Sequence, residues 1–207
     1  MPRASNSRCV LVFAKAPRPG FAKTRLIPAL GAEGAAALHA RLIKHTLQSV
    51  RQAGFGTIEL HGTPADDDFL RYCAARYGAD LLAQCDGDLG GRMHTALAGC
   101  LARSASVLLI GTDCPALGPR ELRRACRLLE SGVDAVFAPT EDGGYALVGL
   151  TRCDSRLFEA VAWGTSSVMT QTRERLRALR WSWSELDVLW DVDTPQDYER
   201  LLASRLL

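Results

Sequence analysis

The chain has no Cys-x-x-Cys pair, no internal repeat, no Ser/Gly linker and no apolar run long enough to span a membrane. Each absence removes a class of protein. Seven cysteines (Cys9, Cys73, Cys85, Cys100, Cys114, Cys126, Cys153) are odd in number and scattered. That argues against a disulfide framework and a zinc knuckle, and they read as small buried hydrophobes in a reducing compartment. An excess of charge of one sign is missing too: 25 Lys and Arg against 23 Asp and Glu leave a formal net charge of +2, so no nucleic-acid partner is expected. Residues 1–8 are polar, and the apolar run after them is too short for a signal-peptide core, which makes cytoplasmic residence the default expectation. The histidines (His39, His45, His61, His94) show no metal-ligand spacing, and neither a Ser-His-Asp nor a Cys-His arrangement can be assembled. His39 and His45 fall on one predicted helix and read as surface or packing residues. With nothing to divide the 207 residues, a single domain over 1–207 is expected.

What is present begins at Val10-Leu11-Val12-Phe13-Ala14, an apolar run bounded by Pro and Gly that reads as a buried strand. It empties into a loop carrying Lys15, Arg18, Lys23 and Arg25 around Gly20. Backbone amides and fixed cations at the carboxyl end of a sheet strand suit a polyphosphate, as open α/β sheets bind ligands there. The plainer alternative is a solvated basic loop. Lys23-Thr24 lies three residues after Gly20 with no partner glycine upstream, so this is not a Walker loop. Gly87-Asp88-Leu89-Gly90-Gly91 likewise fails the Gly-x-Gly-x-x-Gly dinucleotide spacing.

Further along, Glu33 to Gln52 places Leu38, Leu42, Ile43, Leu47 and Val50 on one face, the periodicity of an amphipathic helix closed by Gly54. Strands are expected at 57–60, 80–83, 106–110, 134–138, 145–148 and 181–185. Helices are expected at 66–77, 92–102, 120–129, 155–161, 167–179 and from Pro195, where proline suits a first turn. Strands alternating with helices predict a mostly parallel sheet covered on both faces.

Acidic and glycine positions recur just beyond the strands. Asp113 follows the 106–110 strand directly and could hold a hard divalent cation or serve as a turn or helix cap. Asp142-Gly143-Gly144-Tyr145 is a hairpin signal whose glycines also let a backbone approach a ligand, with Asp142 able to accept hydroxyl hydrogen bonds. Asp191 and Asp193 precede a helix, where Asp193 is either its cap, in competition with Thr194, or a second metal ligand opposite Asp113. Gly90, Gly91 and Arg92 open another helix and could meet a nucleotide or form a plain connector.

Taken together, Lys15-x-Pro17-x-x-Gly20-x-x-Lys23-Thr24-Arg25-Leu26, Gly87-Asp88-Leu89-Gly90-x-Arg92-Met93, Gly111-Thr112-Asp113-Cys114-Pro115, Asp142-Gly143-Gly144-Tyr145-x-Leu147-x-Gly149-Leu150 and Asp191-Val192-Asp193-Thr194-Pro195-x-Asp197 occur in order. They resemble the bacterial branch of the glycosyltransferase-A (nucleotide-diphospho-sugar transferase) superfamily sometimes linked to arsenosugar biosynthesis. The likeness runs over about residues 9 to 202. It implies an α/β fold, a three-layer α/β/α sandwich with a mostly parallel mixed sheet, and a nucleotide site at the strands' carboxyl ends. It further implies Mg2+ or Mn2+ on Asp113. Cys114-Pro115 follows that residue, so the superfamily's second local carboxylate is missing, and Asp193, then Asp191, is the expected replacement. The loop from Lys15 to Arg25 is also similar to that of guanylyltransferases acting on molybdenum cofactor and on 2-phospholactate.

The expected function is metal-dependent transfer of a sugar from a nucleotide-diphosphate sugar to a small acceptor, with Asp113, Asp142 and Lys23 as catalytic candidates. Lys15, Arg18, Gly20, Lys23, Thr24, Arg25, Gly90, Gly91 and Arg92 are expected at the nucleotide, and Asp142, Gly143, Gly144 and Tyr145 at the sugar or acceptor. Two alternatives stand beside it: nucleotidyl transfer from a nucleoside triphosphate with release of pyrophosphate, which four loop cations would suit, and a non-catalytic nucleotide-binding module. Trp163, Trp181, Trp183 and Trp190 are core, interface or acceptor-pocket candidates.

Overall fold

A strand buried on both faces anchors the architecture. In the computed structural model, which describes residues 8–207, β1 (Arg8–Lys15) directs Val10, Val12 and Ala14 into one apolar layer and Cys9 and Leu11 into the other. That alternation between two cores is what a central parallel strand requires. Around it lie β2 (Thr57–Thr63), β3 (Asp80–Ala83), β4 (Ser106–Ile110), β5 (Ala135–Pro139), β6 (Tyr145–Leu150) and β7 (Trp183–Glu185) in the order β3-β2-β1-β4-β6-β5-β7. Only β6 runs antiparallel, against β4 and β5, and the rest pair in parallel. The sheet is thus mostly parallel and mixed, as expected.

Helices α1 (Ile27–Ala53), α2 (Asp68–Tyr77) and α4 (Pro119–Glu130) supply one apolar layer through Leu47, Leu70 and Leu122. The other layer holds α3 (Leu89–Leu101) and α5 (Val168–Leu179) through Leu97 and Leu176. A third apolar cluster seats α6 (Pro195–Ser204) beside the first part of α1, with Leu26, Leu38, Leu42 and Leu201 buried together. This is the predicted α/β/α sandwich.

Three elements depart from the sequence pattern. α1 starts earlier than Glu33, but Gly31 takes a non-helical backbone (φ 70) that kinks it, so the regular helix begins where the periodicity does. The 155–161 helix shrinks to one tight turn over Ser155–Leu157, and Ala160 enters the left-handed region at φ 49. Trp181 stays out of β7 because its amide closes the end of α5 on the Leu176 carbonyl at 3.0 Å, after Arg180 has turned left-handed. Five cysteines are buried as expected, while Cys85 is exposed and Cys153 partly so; all seven are free.

Candidate active site

The ends of β1 and β4, the start of β6 and the segment before α6 meet at one sheet edge. They surround a cavity of about 490 Å³ lined by Lys15, Lys23, Thr24, Arg25, His39, Arg92, Asp113, Tyr145 and Asp193, among others. That volume falls within the usual range for a small-molecule site. Residues far apart in sequence converge there because parallel strands deliver their carboxyl ends to one side.

At its acidic corner, the Val192 amide donates to the Asp113 carbonyl at 2.9 Å and fixes the two segments side by side. Lys23 reaches between them. Its ammonium donates to Asp193 Oδ1 at 2.9 Å and the Val192 carbonyl at 2.7 Å, and lies 2.6 Å from Asp113 Oδ1. Asp113 Oδ1 is buried against this ammonium and has no further hydrogen-bond donor. Burial alone would depress Lys23, but Asp113 and Asp193 outweigh it and hold the ammonium above its ordinary value. Burial would likewise raise Asp113, and Lys23 with His39 keeps it below the usual carboxylate value instead. Asp191 has no such cation in contact: burial, then the charges of Asp113, Asp142 and Asp193, push its pKa up to about 7.

The structural alternatives for two aspartates fall away. Thr194, not Asp193, caps α6, receiving the Asp197 amide while the Asp197 carboxylate accepts from the Thr194 amide at 2.7 Å. Asp113 caps nothing either, since α4 starts after Gly118. Both carboxylates remain nearly half exposed to the cavity, Asp113 at 47% and Asp193 at 43%.

Other candidates lie differently. Arg18 turns away to Asp67 at 2.8 Å, and neither it nor Gly20 lines the cavity. Gly20 instead supplies a left-handed turn in the loop (φ 76). Gly90 is packed so tightly that a Cβ would meet the Phe158 carbonyl at 2.5 Å and Trp163 Nε1 at 2.9 Å. The Gly91 amide is spent on the Asp88 side chain at 2.8 Å, the cap of α3. Of that motif, Arg92 reaches the cavity. Asp142 accepts from Thr140 Oγ1 at 2.5 Å and the Gly144 amide at 3.0 Å, which shapes the β5–β6 hairpin. A Cβ on Gly143 would meet the Ser166 carbonyl at 2.2 Å, so Gly143 and Gly144 act on the turn, and Tyr145 is the residue of this motif that lines the cavity. None of the four tryptophans lines it; Trp163 packs on Gly90 and on the Tyr145 ring, 6.2 Å away.

His39 is the residue that sequence reasoning missed. It is buried on α1, its Nε2 lies 3.1 Å from the Lys15 carbonyl, and its Nδ1 lies 3.8 Å from Asp113 Oδ1 with no hydrogen-bond partner. Burial lowers its pKa against the pull of Asp113. From the sequence it read only as a surface or packing residue of that helix.

Residues 46–165 match a bacterial protein family, DUF2064, described as an uncharacterized protein conserved in bacteria. The chain belongs to this family. No curated protein matches it in sequence. Among solved structures, this DUF2064 chain is similar to a protein from Desulfovibrio desulfuricans G20, provisionally named a nucleotide-diphospho-sugar transferase. The two share 30% identity and a TM-score of 0.86 over 95% of this chain and 87% of that one. Likeness in fold extends to glucosyl-3-phosphoglycerate synthase from Mycobacterium tuberculosis, solved with Mn2+, UDP and glucosyl-3-phosphoglycerate, at 11% identity and a TM-score of 0.59 over 98% and 77% of the two chains. It extends also to a cytidylyltransferase from Leptospira borgpetersenii, at 12% identity and a TM-score of 0.59 over 94% and 84%. The resemblance to nucleotide-diphospho-sugar transferases therefore holds in three dimensions. No helix among the described residues of this DUF2064 member is long and apolar enough to cross a membrane.

Proposed function

We propose that the chain, acting as one domain, is a divalent-metal-dependent glycosyltransferase that moves a sugar from a nucleotide-diphosphate sugar to a small acceptor. The observation that carries this reading is the pairing of Asp113 with Asp193 around Lys23, at the wall of a cavity that also holds Lys15, Arg25 and Arg92. Two carboxylates plus substrate phosphate oxygens and water make a usual site for Mg2+ or Mn2+. Burial of Asp191 beside Asp113, Asp142 and Asp193, whose charges help raise its pKa, fits a cluster short of one positive charge. Mn2+ in the glucosyl-3-phosphoglycerate synthase structure and the name of the Desulfovibrio protein support the same reading.

When bound, the metal supplies a Lewis acid for the diphosphate that leaves as the acceptor attacks the anomeric carbon. Lys15, Arg25 and Arg92 hold the remaining phosphate charge in place within a partly closed cavity, where preorganised cations stabilise charge as it develops. Lys23 keeps Asp113 and Asp193 together before the metal arrives. Tyr145, at the head of β6, faces the sugar or acceptor, and Asp142 holds the turn that presents it.

Charge favours the first of the two transferase readings. Of the four loop cations, Arg18 is paired outside the cavity and Lys23 is neutralised by two aspartates. Lys15 and Arg25, joined by Arg92, suit a diphosphate better than a triphosphate. Incubation with Mn2+ and panels of nucleotide sugars and nucleoside triphosphates tests this. Release of nucleoside diphosphate supports sugar transfer, pyrophosphate release overturns it in favour of nucleotidyl transfer, and binding without turnover leaves only a binding module.

A further inference from the structure

Outside the cavity, the described residues contain one group of three converging metal-ligating side chains, and it ties β1 and α3, which line the cavity, to β2. Cys9 on β1, Glu59 on β2 and Cys100 on α3 place a sulfur, a carboxylate oxygen and a second sulfur all within 4.8 Å of one another, and all three residues are buried. We infer that Cys9, Glu59 and Cys100 form a second metal site, for a borderline-soft divalent ion of the zinc class, separate from the aspartate corner.

The donor set points to that class. Two thiolates and one carboxylate suit Zn2+, whereas Mg2+ takes oxygen donors throughout. His61 lies beside the group with Nε2 3.0 Å from Glu59 Oε2, the arrangement by which an outer imidazole orients a ligating carboxylate and leaves its other oxygen for the metal. The fourth position faces a cavity of about 210 Å³ bounded by Glu59, His61, Cys100 and Arg103, open to a water ligand.

Charge balance is consistent with both the metal-free and the filled state. Without metal, the Arg103 guanidinium, itself more than half exposed, contacts the buried Glu59 Oε1 and balances its charge. The Cys9 thiol is aimed at Glu59 Oε1, 4.0 Å away, and the Cys100 thiol at Ser104 Oγ, 3.8 Å away, so both sulfurs already face polar partners. On binding, two thiol protons leave, and the three negative donors are balanced by the divalent ion together with Arg103. Arg103 need only give up Glu59 Oε1: its side chain is 55% exposed and already donates to the Gly99 carbonyl at 2.7 Å.

The site's position gives it a use. β1 leads to Lys15, and α3 opens beside Arg92, so an ion clamping Cys9 to Cys100 braces two elements whose other ends carry cavity cations. Neither thiol is near enough in sequence for any spacing rule to pair them, which is why the sequence signalled no zinc site.

Co2+ titration of the reduced, metal-stripped full-length chain tests the inference. A thiolate-to-cobalt charge-transfer band is expected in the near ultraviolet, saturating at about one equivalent and abolished by Zn2+ in slight excess. Cobalt on the aspartate corner gives no such band. Cys100→Ala should remove it, Glu59→Gln should weaken binding, and His61→Gln, which leaves all three ligands in place, should weaken it by about 10–100-fold. Circular dichroism checks that each variant folds; if Cys100→Ala does not, the two remaining variants carry the test. No thiolate band in the wild type, a band that survives in folded Cys100→Ala, affinity unchanged in both Glu59→Gln and His61→Gln, or a Cys9–Cys100 disulfide formed in place of metal binding would each overturn the inference.

Discussion

Replacing Lys23 by Met removes the one cation that joins Asp113 and Asp193 while keeping most of the buried side-chain volume. Two oxygens at 2.6 and 2.9 Å from one nitrogen lie within ~5.5 Å of each other. At an effective dielectric of about 20, their unshielded repulsion is on the order of 3 kcal/mol. Both carboxylates are nearly half open to solvent, which trims the cost to about 2 kcal/mol. The Val192 carbonyl loses its donor as well, adding about 1 kcal/mol. For a chain of this size that sum lowers the melting temperature by about 5–10 °C. Thermal denaturation in EDTA and again in millimolar Mn2+ provides the assay. A divalent ion can replace the lost ammonium charge, so Mn2+ should stabilise Lys23→Met more than the wild type and bind it more tightly. Equal stability of the two proteins in EDTA, or no extra stabilisation by Mn2+, would refute the reasoning.

Arg25→Ala should weaken nucleoside diphosphate binding by about 10–100-fold, as expected for a charged hydrogen bond, whereas Arg18→Ala should change it less than about 3-fold because Arg18 is tied to Asp67; calorimetric titration compares them. Gly143→Ala drives a methyl group into the Ser166 backbone at a left-handed position (φ 88), and denaturant unfolding should register a loss of about 2–4 kcal/mol. Glu185 accepts two hydrogen bonds from Arg173, at 2.8 and 2.7 Å, and one from Trp183 Nε1. The Arg173 bonds, against burial, hold its pKa below the ordinary carboxylate value. Its stabilisation is therefore present above the unfolded carboxylate pKa and lost as pH falls through the folded one. Glu185→Gln should cost about 1–2 kcal/mol at neutral pH and flatten the acid limb of the stability profile.

The buried strands were legible because their residues obey a short-range rule: Val10 to Ala14 and Ser106 to Ile110 are apolar without interruption, as a two-sided sheet demands. The aspartates past those strands were legible for the related reason that a parallel sheet collects its carboxyl ends on one side. Pairing across long separations was not. Arg18 finds Asp67, and Lys23 finds Asp193, only after the chain has folded, so four loop cations looked equally free for phosphate. Gly90 looked like a place for a ligand to approach the backbone, and what approaches is Trp163. His39 sat on the inward face of a helix, and nothing local distinguished a packing histidine from one whose Nδ1 faces Asp113. Gly31 hid the true start of α1, since a kink leaves the periodicity intact only beyond it.

On the proposed function, this sheet edge binds a nucleoside diphosphate through a metal held by Asp113 and Asp193. Thermal-shift titration of nucleoside diphosphates, with and without Mn2+, on the wild type and on Asp113→Asn tests it most directly, because a ligand that binds only the folded state raises its stability by mass action. A diphosphate-dependent rise that requires Mn2+ is expected in the wild type and should be absent in Asp113→Asn. A rise of equal size without metal, or one that persists in Asp113→Asn, would contradict it.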